Sequence, residues 1–342
     1  MPIDASEAAQ LVSSPMSKQD TQQVLSLLMA GSLETEKGAQ LLTTWAKRGE
    51  TGLELASAVD FLKQHAVAVP LERASFDLCG TGGSGLSRFN VSTTVAFVLA
   101  AAGVPVAKHG NRGSARPNGS FDLLDALEVP FDMPPAQLVE LQQQTGLCFL
   151  FARTHHPAVG KVVPYRKAAG CRTIFNLAGP LANPAPLSHQ LIGTTNERSA
   201  LVLAQALQEL GENAALVVWG HPGIDEISVT GPTQLLSVNR AHVTKICWDA
   251  PAHPGLDYAQ LPHGNAVDNA AVFLSILAGS EKGPLLDMIC ENAGAALDLW
   301  AGRPPQTAGE GARQARALIE AGQVQKAFVA HREAAQRLSS LA

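Results

Sequence analysis

Residues 77 to 94 read Asp-Leu-Cys-Gly-Thr-Gly-Gly-Ser-Gly-Leu-Ser-Arg-Phe-Asn-Val-Ser-Thr-Thr. A short apolar strand runs into a glycine turn and then into a helix start rich in side-chain donors, which is the layout of a phosphate cradle. Gly80, Gly82, Gly83 and Gly85 leave backbone N–H groups open to an anion, while Asn90, Ser92 and Thr93 stand where a helix N-terminus offers unpaired donors and a positive dipole end. Gly80, Gly82 and Gly85 also satisfy Gly-x-Gly-x-x-Gly. The acid expected about 20 residues on, to hold a ribose hydroxyl, is missing: that neighbourhood reads Pro105-Val106-Ala107-Lys108. Gly85 is followed by Leu86 and Ser87 rather than Lys and Ser/Thr, which sets aside a Walker-type loop. A merely structural glycine turn is the plain alternative.

The next loop strengthens the phosphate reading. Residues 104–112, Val-Pro-Val-Ala-Lys-His-Gly-Asn-Arg, again run from an apolar strand into a polar loop. Taken alone, such a run is a solvated loop. In an open parallel sheet, ligands bind beyond the carboxyl ends of the strands, so the two loops are expected to face one crevice. There Lys108 and Arg112 would neutralise phosphate, and His109 and Asn111 would hydrogen-bond an uncharged partner. Asp225-Glu226, after a glycine-containing loop at 220–223, are hard oxygen ligands suited to Mg²⁺ shared with substrate phosphates, although a surface acid pair fits that motif equally well by itself. His155-His156 does not read as zinc, because adjacent side chains diverge and no further Cys or His is spaced to complete a tetrahedral site.

Composition sets the frame. The chain has 342 residues, 46% hydrophobic and 16% charged, with net charge −5. That suffices for a large buried core and gives no support to a chain that coats nucleic acid or a membrane surface. No apolar run approaches the ~18 residues of a membrane span, and the opening Met-Pro-Ile-Asp-Ala-Ser-Glu lacks a basic segment followed by an apolar core, so a cytoplasmic location is the expectation. Cys79, Cys148, Cys171, Cys247 and Cys290 are scattered without a C-x-x-C pair and read as reduced core residues. Helical periodicity runs through Val24-Leu28, Leu41-Trp45 and Leu53-Leu62. After Pro70, strands expected at 104–107, 148–151, 190–193 and 215–219 alternate with helix-length segments. The expected fold is α/β: a small all-helical domain over 1–70, completed by helices from about 160–190, and a larger domain over 71–342 with a mostly parallel central sheet. Proline and glycine at 177–187 suggest a turn crossing between domains, and those at 251–264 a surface loop.

Four stretches together carry a resemblance: 77–93, Lys108-His109-Gly110-Asn111-Arg112, Gly179-Pro180-Leu181-Ala182-Asn183-Pro184 and Gly223-Ile224-Asp225-Glu226-Ile227-Ser228. In order and spacing they resemble the motifs of the anthranilate phosphoribosyltransferases. The similarity extends over nearly the whole chain, from the helical beginning at Gln19–His65 to the closing stretches at Asn292-Ala293-Gly294 and Ala321-Gly322. The resemblance implies Mg²⁺-dependent transfer of phosphoribosyl from phosphoribosyl pyrophosphate to the amine of anthranilate, with release of pyrophosphate, in tryptophan biosynthesis. It implies a donor site of Gly80, Gly82, Gly83, Asn90, Ser92, Thr93 and Ser120, with Lys108 carrying the leaving group. The implied acceptor pocket is Gly80, His109, Asn111, His156, Arg166 and Pro180, with Arg166 meeting the substrate carboxylate. Mg²⁺ would sit on Asp225 and Glu226 with Ser92, and the partner would be a second copy docked through the helical domain. Substitution at an anomeric carbon needs charge neutralisation and positioning rather than an enzyme nucleophile.

The departures from the family pattern fall in the donor site. Ser84 stands where the family has Asp, Arg88 where it has Thr, and Ala115-Arg116 where it has Ser-Ser, so one negative charge is removed and two positive ones are added. Ser84, Arg88 and Arg116 are therefore counted with the donor residues. Two other readings stay open: a divergent relative with another donor or acceptor, or one that only binds a ligand or nucleic acid; and a pyrimidine nucleoside phosphorylase, whose loop begins Lys-His-Ser-Thr-Gly-Gly instead of Leu78-Cys79-Gly80-Thr81-Gly82-Gly83.

Overall fold

A computed structural model describes the chain except residues 1–2, 114–116, 212–213, 249–252, 254, 305–308 and 342. It opens with α1 (Ala5–Leu11), α2 (Lys18–Ala30), α3 (Thr35–Arg48) and α4 (Gly52–Gln64). Three of these starts have a local cause: Asp4, Ser17 and Thr51 accept backbone N–H bonds as N-caps, and Thr51 forms a capping box with Glu54. Glu54 is also the knot of the module. Its buried carboxylate accepts from Arg48 Nη2 at 2.5 Å, Met16 N at 2.8 Å, Thr51 N at 2.8 Å and Trp45 Nε1 at 3.3 Å. One anion so satisfies donors from three segments, which an unpaired buried carboxylate would not survive.

The chain then alternates. In order come β1 (Ser75–Gly80), α5 (Val91–Ala101), β2 (Val106–Gly110), α6 (Ser120–Ala126), α7 (Pro135–Thr145), β3 (Leu147–Phe151), α8 (Ala152–His155), α9 (Val163–Ala169) and α10 (Ile174–Leu181). They are followed by β4 (Leu187–Gly193), α11 (Glu197–Leu210), β5 (Ala214–Gly220), β6 (Thr233–Val238), β7 (Val243–Trp248), α12 (Ala266–Leu277), α13 (Pro284–Trp300), α14 (Glu310–Glu320) and α15 (Gln323–Ser339). The strands form one sheet in the order β3-β2-β1-β4-β5-β6-β7, parallel through β5. The α/β class with a helical beginning and a mostly parallel sheet agrees with the sequence expectation. β6 and β7 are an antiparallel hairpin that periodicity did not suggest. Its turn is closed by Asn239, whose Oδ1 accepts from Ala241 N and His242 N.

The sheet divides two apolar cores. One face carries Phe97, Phe121, Phe149, Phe273 and Phe328 against α5, α13 and α15. The other face, through Ile192, Val217 and Leu236, is continuous with Leu28, Trp45 and Val59 of the helical module and with Tyr165, Ile174 and Leu203. The segment 163–181 thus packs on the first helices: Gly38 of α3 lies under the Tyr165 ring, where any Cβ would collide, and Tyr165 Oη donates to Leu33 O at 3.1 Å.

Three local expectations are corrected. Helix α10 runs through Pro180, so the crossing turn is confined to 182–186; the fixed proline ring is tolerated inside this short, buried helix. In the 251–264 stretch, the described part includes a 3₁₀ turn at Tyr258–Gln260, and Tyr258 and Leu261 are buried. Only Cys148 and Cys290 are core residues; Cys79 is half-buried, and Cys171 and Cys247 are exposed, all five being free thiols.

Candidate functional site

The sheet reverses its winding between β1 and β4, because β2 and β3 lie to one side of β1 and β4 and β5 to the other. Such a switch point opens a crevice at the carboxyl ends of the strands. There Gly80 ends β1 in register with Gly193 at the end of β4. The loop after β5 folds back over both, and a Cβ on either glycine would collide with Asp225. Gly82 and Gly83 have φ of 63° and 83°, the left-handed region, and the turn they make points Gly82 N at Asp225 Oδ2, 2.9 Å away. The acid pair from one motif is thereby fastened to the glycine loop of another.

A second clamp fixes that pair from behind. Asn292 of α13 accepts from Ile227 N at 2.9 Å and donates to Ile227 O at 2.9 Å and Met288 O at 2.8 Å. Asn183, from the Gly-Pro-Leu-Ala-Asn-Pro motif, does the same for the two loop strands: its Nδ2 donates to Asp77 Oδ2 at 2.9 Å and Ala107 O at 2.8 Å. Burial raises Asp77 to about 6, against the pull of Lys108 and these donors.

Lys108 is buried rather than presented to the crevice. Its ammonium donates to Leu78 O and to Ser92 Oγ, the latter at 3.1 Å, and burial lowers its pKa. It stands behind Ser92 and within electrostatic reach of Glu226. Arg112, expected to neutralise phosphate, instead pairs with Asp122 and Asp125 over the Phe131 and Phe151 rings. The acids of α6 claim it, a contact only the folded loop reveals. Thr93 likewise turns into the core, its Oγ1 buried without a partner. Ser84 is half-buried and accepts from Leu86 N at 3.3 Å. Ser120 Oγ donates to Asn111 O at 3.4 Å, and Asn111 Oδ1 accepts from Arg112 N at 2.8 Å. Ala115 and Arg116 lie outside the described residues.

Two arginines cross the glycine loop. Arg88 forms an ion pair with Asp225, and its backbone is pinned, since its carbonyl accepts from Asn118 Nδ2 at 2.8 Å and Asn269 Nδ2 at 3.2 Å. Asn269 of α12 also donates to Asn90 Oδ1 at 3.0 Å and Asn118 Oδ1 at 2.6 Å. Arg172, which sequence reasoning missed, donates to Gly82 O at 2.5 Å and Thr81 O at 3.3 Å. Arg172, Asn118, Asn269 and Asn292 lie scattered along the chain, and no spacing ties them to the glycine motif.

The acid pair is chemically suited to a hard cation. Glu226 is buried, its Oε2 has no partner, and burial raises it to about 7 while Arg88 and Lys108 pull it down. Among the described residues no three His, Cys, Asp or Glu side chains cluster as a metal site. A divalent ion on Asp225, Glu226 and Ser92 would thus depend on phosphate and water for its remaining ligands, as Mg²⁺ commonly does.

Beside this site, His109 and His156 meet edge to face at 5.2 Å. His109 Nδ1 is 3.1 Å from Gly179 O and His156 Nε2 is 2.8 Å from Ala182 O, so each of these nitrogens carries the hydrogen. Burial, with the neighbouring His156, lowers His109 to about 3, leaving a neutral ring whose Nε2 is a buried, unpartnered acceptor. Pro180 lies one residue after Gly179, its carbonyl accepting from Gln190 Nε2 at 3.2 Å. Arg166 of α9 stacks over Phe175 of α10 at 5.8 Å, and burial alone lowers its pKa. Burial and Asp77 push the thiol of Cys79, in the cradle, up to about 12, which disfavours the reactive thiolate.

Known proteins share the fold and much of the sequence. Residues 72–325 match the glycosyl transferase family, a/b domain. An anthranilate phosphoribosyltransferase of Rubrobacter xylanophilus is 39% identical over 311 residues, spanning 90% of each chain. One of Herpetosiphon aurantiacus is 38% identical over 310 residues, spanning 90% of this chain and 91% of its own. The crystal structure of the Thermus thermophilus anthranilate phosphoribosyltransferase superposes with a TM-score of 0.86 at 34% identity, over 98% of this chain and all of the other. The Saccharomyces cerevisiae enzyme, solved in complex with PRPP and Mg, shares the fold at a TM-score of 0.85 and 23% identity, over 97% of this chain and 98% of its own.

Proposed function

We propose that this chain, which belongs to the anthranilate phosphoribosyltransferase family and is an enzyme of the glycosyltransferase class, transfers the phosphoribosyl group of phosphoribosyl pyrophosphate to the amine of anthranilate. The observation that carries the reading is one crevice in which the glycine loop, Ser92 backed by the buried Lys108, and the Asp225-Glu226 pair adjoin a neutral histidine pair. In the reaction the amine nitrogen forms a bond to the anomeric carbon, the bond from that carbon to the pyrophosphate oxygen breaks, and the amine gives up one proton to solvent.

The loop N–H groups and the start of α5 hold the donor phosphates. Lys108, acting through Ser92 and by its buried charge, stabilises the departing pyrophosphate, a favourable arrangement because its charge is fixed before the reaction begins. His109 Nε2 accepts a hydrogen bond from the anthranilate amine and so orients its lone pair. Arg166 binds the substrate carboxylate as a two-pronged donor. Asp225, Glu226 and Ser92 would hold Mg²⁺, which supplies positive charge to the pyrophosphate when bound. The same reading places the protein in tryptophan biosynthesis in the cytoplasm; among the described residues no helix is long and apolar enough to cross a membrane. It also includes a homodimer through the helical module, where Leu53 (42% exposed) and Val163 (47%), with Leu201 (48%) on the adjoining α11, leave apolar surface open, and sedimentation velocity decides the stoichiometry.

The test is loss of anthranilate fluorescence on adding protein, Mg²⁺ and phosphoribosyl pyrophosphate, with each component omitted in turn. Loss that needs all of them is the expected result. Arg88 on Asp225 favours a second reading, a divergent relative with another donor or a ligand-binding role. It is supported if the fluorescence stays and calorimetry shows no binding of phosphoribosyl pyrophosphate, whereas retained donor binding points to another acceptor. Asp225→Asn with Glu226→Gln is expected to abolish the metal-dependent rate with the thermal midpoint little changed, and full activity in that double variant would remove the metal assignment.

A further inference from the structure

We propose that Arg88 is a built-in counter-cation of the donor site, competing with a divalent metal for Asp225 so that the substrate-free protein is guarded against the metal. Three observations carry this. The guanidinium is paired with Asp225, the residue that also anchors the glycine loop through Gly82 N. The backbone of Arg88 is not free to wander: Asn118 and Asn269 both donate to its carbonyl, and Asn269 is fully buried. The neighbouring Glu226 Oε2 is buried with no partner, so one carboxylate of the pair is taken by the protein's own cation while an oxygen of the other is left for an external one.

The side chain of Arg88 retains 28% of its exposure, against 2% for that of Asp225. The arginine therefore approaches the buried acid from the solvent side, the side from which a hydrated ion must enter. An incoming pyrophosphate offers the planar guanidinium a multiply charged alternative partner. Donor binding would then release Asp225 at the moment the phosphates arrive to complete the metal's ligand set. The inference rests on the carboxylate pair being the metal site proposed above, and it is independent of which amine is the acceptor.

Mn²⁺ binding to the full-length, substrate-free protein, followed by loss of the free-ion electron paramagnetic resonance signal, tests it without any catalytic readout. Wild type should bind weakly, Arg88→Gln about tenfold or more tightly, and Arg88→Lys close to wild type, because an ion pair must be broken only where the cation is present. Adding Asp225→Asn to Arg88→Gln should remove the gain. Among the described residues the Arg88 guanidinium is paired with the Asp225 loop alone, and circular dichroism of Arg88→Gln and Arg88→Ala checks that both are folded. Equal, tight binding by wild type and both neutral variants overturns the competition. No binding by any of them overturns it too, through the metal site itself. A gain that survives Asp225→Asn places the ion elsewhere and has the same consequence.

Discussion

Lys108 shows how burial changes what a residue can do. A sequence-level lysine in a polar loop suggests a direct phosphate contact, yet its ammonium is spent on Leu78 O and Ser92 Oγ. Lys108→Met keeps the packing of the stem and removes the charge, so kcat is expected to fall by about 10²–10³ with the thermal midpoint little changed. Unchanged turnover would make Lys108 a structural residue. Arg172 is the complementary case, a residue no motif marked that fastens the glycine loop by two carbonyls. Arg172→Ala should raise the KM for the donor about tenfold, with a smaller effect on kcat, because it loosens a phosphate-binding loop and touches no reacting atom. Steady-state kinetics at saturating anthranilate measures both.

Elements act here as clamps at a distance. Helix α13 holds the acid-pair loop through Asn292, whereas the Glu54 knot holds α3 and α4 together and touches no residue of the acid-pair loop. Asn292→Ala leaves Ile227 N and O buried and unpaired and should cost about 3 kcal/mol. Glu54→Ala leaves Arg48 without its acid and should cost about 3–5 kcal/mol. Urea melts should rank them similarly, while activity per folded molecule falls only for Asn292→Ala. A loss of specific activity in Glu54→Ala would mean the helical module positions the site more directly than its contacts indicate.

At the scale of the whole molecule, two buried histidines lower stability as pH falls, while the raised carboxyls of Asp77 and Glu226 act in the opposite direction between about pH 4 and about pH 7. His331 of α15 lies between Phe97 and Phe149 with Thr145 Oγ1 3.0 Å from its Nδ1, and burial lowers it to about 3, as it does His109. Both are neutral when folded and become protonated near pH 6.5 when unfolded. Their contribution is therefore fully present above about pH 6.5 and is lost progressively as pH falls toward 3. At about pH 5 each withdraws about 2 kcal/mol relative to about pH 7. Replacing His331 with Gln should raise the thermal midpoint at about pH 5 relative to that at about pH 7, and an unchanged difference would refute the assignment.

The four ordered motifs were legible in the sequence because their chemistry is local: glycines for a turn with φ of 63° and 83°, a helix start behind them, a polar loop after an apolar strand, two adjacent carboxylates. The parallel sheet was legible for the same reason, since buried strands and intervening helices write themselves as short apolar runs at regular intervals. The β6–β7 hairpin was not, because its edge strand is largely exposed and carries no apolar run. The partners of the site residues were not legible either. Arg112 turned to Asp122 and Asp125, Thr93 turned inward, and Arg88 found Asp225 from a distant part of the chain. By itself the sequence determined which kinds of groups gather at the strand ends. Which of them face the crevice and which neutralise one another was decided only by the tertiary structure, since the nearest counter-charge and the depth of burial are set by segments that meet in space and not along the chain.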